Sequence, residues 1–197
     1  MRSGEPAERT RATMTPTPRE PQLGPAEHSL LGLLAVAGAE GVHGYDLQRH
    51  YTHGALGEII RLEPGMLYHH LKKLDRYGLV TTEVIPQPDR PDRRIHTLTE
   101  AGREQLERWL RAPVRATREI RLDFLLKLFF ARRLDPAHRA SLIAQQHRVL
   151  SELEASLRAQ MDAPGTAESD DRAPVLRLRQ LQTRAALDWL DGLEHEA

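Results

Sequence analysis

Cysteine is absent from this 197-residue chain, which excludes disulfides, thiolate zinc sites and cysteine nucleophiles together. The absence also fits a reducing compartment. Net charge is absent too: 28 basic residues balance 28 acidic ones, so composition creates no general pull toward nucleic acid or membranes. Any such contact has to come from a local basic face. Long apolar runs are missing as well. The stretch Leu30 to Gly38 falls far short of the ~20 residues a membrane span needs, and Phe124 to Ala131 is interrupted by Lys127. The N-terminus carries no apolar secretory core. A soluble, cytoplasmic protein without a membrane partner is expected.

Catalytic signatures are equally scarce. There is no phosphate-cradling glycine loop, nucleophile elbow or zincin motif, so neither an enzyme nor a cofactor is expected. His50 with His53, and His69 with His70, lack the cysteine or carboxylate spacing of a metal site, and none is expected. Arginine outnumbers lysine throughout, which reads first as codon bias in a GC-rich genome.

Residues 1–24 are rich in Pro, Thr, Arg and Glu with little to bury, and such a segment should remain a disordered tail. From Pro25 the pattern changes. Glu27 to Val36 reads as a helix with Leu30, Leu31, Leu33 and Leu34 facing a core, broken at Gly38 to Gly41. A second helix is expected from Gly44 to about Thr52, followed by an unassigned connection over 53–62. Glu63-Pro64-Gly65 opens a third, because proline suits a first helical position. Leu67, Leu71 and Leu74 then form one stripe, and Gly78 stands where a C-terminal cap belongs.

Leu79 to Ile85 turns β-branched and reads as a strand. Pro86, Pro88 and Pro91 hold an extended loop with Asp89, Arg90, Asp92, Arg93 and Arg94, and a return strand runs Arg94 to Leu98. Thr99 is a fitting N-cap for a helix from Glu100 to Leu110. Helix, helix, helix, strand, charged loop, strand, helix is the order of a winged helix-turn-helix. The expected fold is mainly α with a small β-wing: a winged-helix domain over 25–112 and a helical dimerisation or effector domain over 113–197.

The third helix has the makings of a DNA reader. With its leucines turned to the core, Gly65, His69, Lys72 and Arg76 fall on the opposite side, flanked by Met66 and Lys73. Lysine and arginine can bond guanine edges or phosphates, histidine can donate or accept, and methionine offers an apolar contact. A bare Gly65 beside Pro64 lets backbone N–H groups approach a phosphate. Arg90, Arg93 or Arg94 could set the wing on the backbone or in the minor groove, although Asp89 and Asp92 blunt that attraction.

At this point the residues resemble the PadR transcriptional regulators. The resemblance rests on His43-Gly44-Tyr45-Asp46-Leu47, Pro64-Gly65-Met66-Leu67-Tyr68, Leu71-Lys72-Lys73-Leu74 and Gly78-Leu79-Val80. It continues through Arg93-Arg94, Leu98-Thr99-Glu100-Ala101-Gly102-Arg103 and Phe124-Leu125-Leu126-Lys127-Leu128-Phe129-Phe130, in order across about 27–193. It implies a dimeric repressor of transcription relieved by a small molecule. It also implies DNA contacts from Tyr68 and its helix and from the wing, with Tyr45 near the backbone contacts. The chain departs from the family pattern at Met66, His69, Ile95 and His96, so no operator sequence carries over.

The second half reads as helix throughout: Ile120 to about Leu134, Asp135-Pro136 to about Met161, a loop over 162–173, and a last helix from Pro174 to Leu193. The first of these is apolar nearly all round. In the second, Ile143, Leu150 and Leu157 repeat every seven residues with Leu153 between, while Gln146 and Gln160 spoil a clean coiled coil. A homodimer seam is expected from Phe124, Leu125, Leu128, Phe129, Ile143, Leu150, Leu153, Leu157 and Trp189. Double-stranded operator DNA, a second copy and an effector of unknown identity are the expected partners. The competing class is a winged-helix module that binds protein, favoured by the zero net charge and the acidic wing.

Overall fold

The computed structural model describes residues 22–87, 92–162 and 167–195. The expected tail, apart from residues 22–24, and the wing residues Asp89 and Arg90 lie outside those residues.

Helix α1 (Pro25–Ala37) starts with Pro25 at its first position, and Glu27 reaches back to the Gly24 N–H at 2.9 Å. Its buried face includes Leu30, Leu31, Leu33 and Leu34. A short 3₁₀ turn (Gly38–Glu40) leads into strand β1 (Val42–His43) and then helix α2 (Gly44–His53). The connection left unassigned in the sequence contains a short helix, α3 (Ala55–Ile59), and is tied down where Gln48 donates to the Leu62 carbonyl at 3.0 Å. Helix α4 (Pro64–Arg76) buries Leu67, Leu71 and Leu74. It ends where Gly78 turns to φ +68°, a left-handed conformation that glycine adopts without a Cβ penalty.

Strands β2 (Val80–Ile85) and β3 (Arg93–Leu98) pair antiparallel, and β1 adds to the far side of β3, giving the order β1-β3-β2. The third strand was not foreseen. Two residues carry no period of their own; β1 exists because His43 pairs with Ile95 and Val42 with His96. Helix α5 (Glu100–Arg111) is capped as expected, the Thr99 hydroxyl accepting from the Gly102 N–H at 3.0 Å. The fold is mainly helical with a small wing, as the sequence implied.

After α5 come α6 (Thr117–Glu119), a π-helical turn (Ile120–Phe124), α7 (Leu125–Leu134), α8 (His138–Asp162) and α9 (Ala167–His195). Helix α9 begins ahead of Pro174, the expected start, and holds that proline in its interior. Helices α8 and α9 run antiparallel, since Glu154 pairs with Arg184 and His147 with Asp191.

Helix α7 corrects the reading of the second half. Much of its apolar circumference is covered within the chain, because two cores meet on it. Leu126 and Phe130 join the core of α1, α2, α4 and α5, while Ala131, with Phe124 of the π-helical turn just before it, joins a second core with Leu142, Ile143, Leu150 and Leu190. Gly32 of α1 admits the Phe130 ring, which would lie 2.5 Å from an added Cβ. Phe124, Ile143, Leu150 and Leu157, expected at a seam between copies, are at most 1% exposed in the isolated chain. A side chain with no surface left has none to give a partner, so these four are intrachain core. Leu125, Leu128, Phe129, Leu153 and Trp189 are half-buried, and Trp189 packs edge-on against Phe124 at 6.1 Å.

Gln146 interrupts the heptads for a concrete reason. Its side chain accepts from the Val114 N–H at 2.8 Å and donates to the Val114 carbonyl at 2.9 Å, which satisfies a buried amide and pins the connection between the halves. Lys127 does the same from α7, donating to the Trp109 carbonyl at 2.6 Å and to that of Ala112. Its charge offsets the carbonyl end of α5. Burial lowers its pKa to about 8, against the pull of Asp123 and Glu119.

Candidate nucleic-acid interface

Burying the three leucines of α4 leaves the other side of that helix open. Pro64, Gly65, Met66, Tyr68, His69, Lys72 and Arg76 are all exposed, Met66 by 48% and Tyr68 by 49%. An exposed methionine and tyrosine among cations suit a face that meets both base edges and phosphates.

Tyr68 is held at the edge of this face by α2. Its ring packs onto Gly44, where an added Cβ would lie 2.7 Å from the Tyr68 ring and 2.9 Å from its hydroxyl. The absence of a side chain at Gly44 is therefore what allows the approach. Tyr45, next along α2, is 72% exposed.

His43, Gly44, Tyr45, Asp46, Tyr68, Asp92, Arg93 and Arg94 together line a concavity of about 790 Å³. The start of α2, the first turns of α4 and the root of the wing thus share one surface. Sequence reasoning named Tyr45, Tyr68, Arg93 and Arg94 but missed His43 as a member. Its position follows from the His43–Ile95 pairing, which residue spacing alone does not reveal. Arg90, the other wing arginine proposed, lies outside the described residues.

Lys73 does not join the outward face. Its ammonium is ion-paired with Glu27 of α1, and its side chain is 24% exposed. His70, one turn away, lies 3.0 Å from the same carboxylate. Burial raises the Glu27 pKa, but the Lys73 ammonium, the Gly24 N–H and His70 outweigh it and hold the carboxyl at about 2.

Beneath the wing, His96 is buried and lies 3.1 Å from the Thr82 hydroxyl, and burial pulls its pKa down. On α1, His28 stacks on Trp109 at 4.5 Å; burial and the nearby Lys127 charge lower its pKa to about 4. His28 is therefore neutral packing at neutral pH. Among the described residues, no group of three or more His, Asp or Glu is placed to hold a metal ion, and no helix is long and apolar enough to cross a membrane.

Comparison with known proteins adds the following. The model of the "Transcriptional regulator PadR-like family" matches residues 33–108, and that of "Virulence activator alpha C-term" matches residues 120–196. The "Negative transcriptional regulator PadR" of Bacillus subtilis is 25% identical over 175 residues, covering 85% of this chain and 94% of its own. Among solved structures, Bacillus subtilis PadR in complex with operator DNA is 21% identical with a TM-score of 0.42, over 85% of this chain and 95% of that one. The same protein in complex with p-coumaric acid is 22% identical with a TM-score of 0.40, over 86% and 96%.

Proposed function

We propose that this chain, a member of the PadR-like family of transcriptional regulators through residues 33–108, is a dimeric DNA-binding repressor that a small molecule releases. It acts on double-stranded operator DNA in the cytoplasm. The observation that carries the reading is the outward side of α4. His69, Lys72 and Arg76 stand there with Met66 and Tyr68, beside a concavity that continues to Arg93 and Arg94. In this reading α4 enters the major groove while the wing arginines and the start of α2 meet the backbone.

The second half supplies the twin. One winged helix offers few contacts, and two copies gain by engaging two half-sites on one face of the duplex. Support comes from α9, where Val175, Leu178 and Leu181 are 56%, 56% and 52% exposed. An apolar stripe at helical spacing, left open by its own chain, suits a self-complementary contact about a two-fold axis. Leu125, Leu128, Phe129, Leu153 and Trp189 keep partial surface for the same contact. The boundary near Pro113 follows from this division of labour, although Leu126 and Phe130 of the second half complete the first core.

The effector has a place in the groove where α1, α5 and α7 meet. It measures about 200 Å³ and is lined by apolar Ala35, Leu106, Leu110, Ala131 and Leu134, and by polar Arg103, Glu107, Arg111, Asp135 and His138. The His138 Nε2 is buried there without a partner. Apolar walls with groups of both charges suit a compact ligand that pairs an apolar body with polar ends, and p-coumaric acid, held by the Bacillus subtilis relative, has that form. Such a ligand would bias how the two halves sit, and hence the spacing of the two readers.

A mobility-shift titration against the chain's own upstream DNA tests the reading. Lys72→Ala with Arg76→Ala is expected to weaken binding and to flatten the slope of log affinity against log salt by about 0.9 for each phosphate no longer neutralised. Unchanged affinity and slope would favour a protein-binding winged helix instead.

A further inference from the structure

Lys72 and Lys73 are neighbours on α4 with the same chemistry and different fates. Lys72 is exposed on the outward side. Lys73 is turned back onto α1, where Glu27 is buried with 4% of its side chain accessible. Both Glu27 oxygens are occupied. Oε2 accepts from the Gly24 N–H at 2.9 Å and closes the start of α1, while Oε1 accepts from Lys73 and lies 3.0 Å from His70 Nδ1. A carboxylate removed from water needs such donors, and it holds them firmly in return.

The cluster therefore acts on the rotation of α4. His70 and Lys73 flank the buried stripe of Leu67, Leu71 and Leu74, on the side nearer α1. Tying both to one fixed oxygen adds a second constraint to the leucine packing, which alone tolerates small rolls of a helix on its core.

It also removes a cation from the edge of the reading surface. Phosphate contacts carry no sequence information, so a released lysine there would strengthen binding to every duplex alike. We propose that Glu27 is a specificity-determining positioning residue, which holds α4 in register through His70 and Lys73 and withholds Lys73 from the phosphate backbone. The proposal rests on the DNA-binding reading above and concerns how that same surface discriminates.

The test has one arm without DNA and one with it. In the free protein, ¹⁵N NMR of the lysine ammonium groups should show a protected Lys73 signal that disappears in Glu27→Gln. No protected signal in the unaltered chain would overturn the proposal. Duplex binding is then measured across a salt series for the unaltered chain, Glu27→Gln, and Glu27→Gln with Lys73→Met.

Glu27→Gln is expected to steepen the salt slope by about 0.9, the effect of neutralising one more phosphate, and to lower the ratio of operator to random-duplex affinity roughly three- to tenfold. The double variant should return the slope to its starting value. A steeper slope that persists without Lys73 would assign the effect to loss of the Glu27 charge alone and overturn the proposal. So would an unchanged operator-to-random ratio in Glu27→Gln. Melting temperatures confirm that each variant is folded. If the unaltered chain binds no duplex while the Lys73 signal is protected, the DNA-binding reading fails and the cluster stands as a structural one.

Discussion

Helices α4 and α9 each leave one face open, and the two faces differ in kind. On α4 the open side carries His69, Lys72 and Arg76 with Met66 and Tyr68; on α9 it carries Val175, Leu178 and Leu181. Cations with exposed apolar tips suit a polyanion with readable edges, whereas an aliphatic stripe suits another aliphatic stripe. In the proposed reading the chain divides recognition of DNA from recognition of itself, with α7, shared between the two cores, lying between the two surfaces.

The largest expected effect comes from breaking the α9 side. Leu178→Glu with Leu181→Glu should leave the melting temperature of the subunit nearly unchanged, because both side chains are already in water. It should yield a monomer by analytical ultracentrifugation and lower duplex affinity on the order of a hundredfold or more, as bivalent binding disappears. A dimer that survives this change would place the contact elsewhere.

Acid should attack α1 first. His28 has a folded pKa of about 4 against an ordinary value of 6.5. The unfolded chain therefore takes up its proton first, and stability falls as pH drops from about 6.5 toward 4. Glu27, at about 2 against 4.5, extends the loss from about pH 5 down toward pH 2. Each is worth on the order of 3 kcal/mol at most. Chemical denaturation across that range checks the windows, and His28→Phe should shrink the upper one, to which buried His96 also contributes, while leaving the lower one in place.

A smaller effect is expected at Gly44. Gly44→Ala puts a methyl against the Tyr68 ring, and the ring can swing only by leaving its place beside α2. Duplex affinity should fall by roughly 1 kcal/mol with the dimer intact. Of similar size, Lys127→Met removes the donor to the Trp109 and Ala112 carbonyls and should cost about 1 kcal/mol of stability, read as a lower denaturation midpoint.

Much of the α4 side was legible in residue order. Pro64, the leucine stripe and Gly78 bound the helix by local rules, and its outward residues follow from geometry once the stripe is buried. Lys73 was misplaced because the carboxylate that claims it lies 46 residues away. The strand β1 escaped notice for the same reason, since its pairing with β3 is non-local.

The α9 side was harder to read. A helix that is apolar all round states that it is covered, not by what, and much of α7 proved to be covered by its own chain. In α9 the residues Leu178, Leu181 and Ala185 are exposed; residue order gives the helix but does not say what its outward face meets.

Hydroxyl-radical footprinting on a duplex selected from random sequence tests the paired arrangement most directly. The account predicts two protected patches on one face of the DNA, ~34 Å or a multiple of it apart, both vanishing together in Lys72→Ala with Arg76→Ala. One patch from a single bound chain, or protection unaltered by those substitutions, would contradict it.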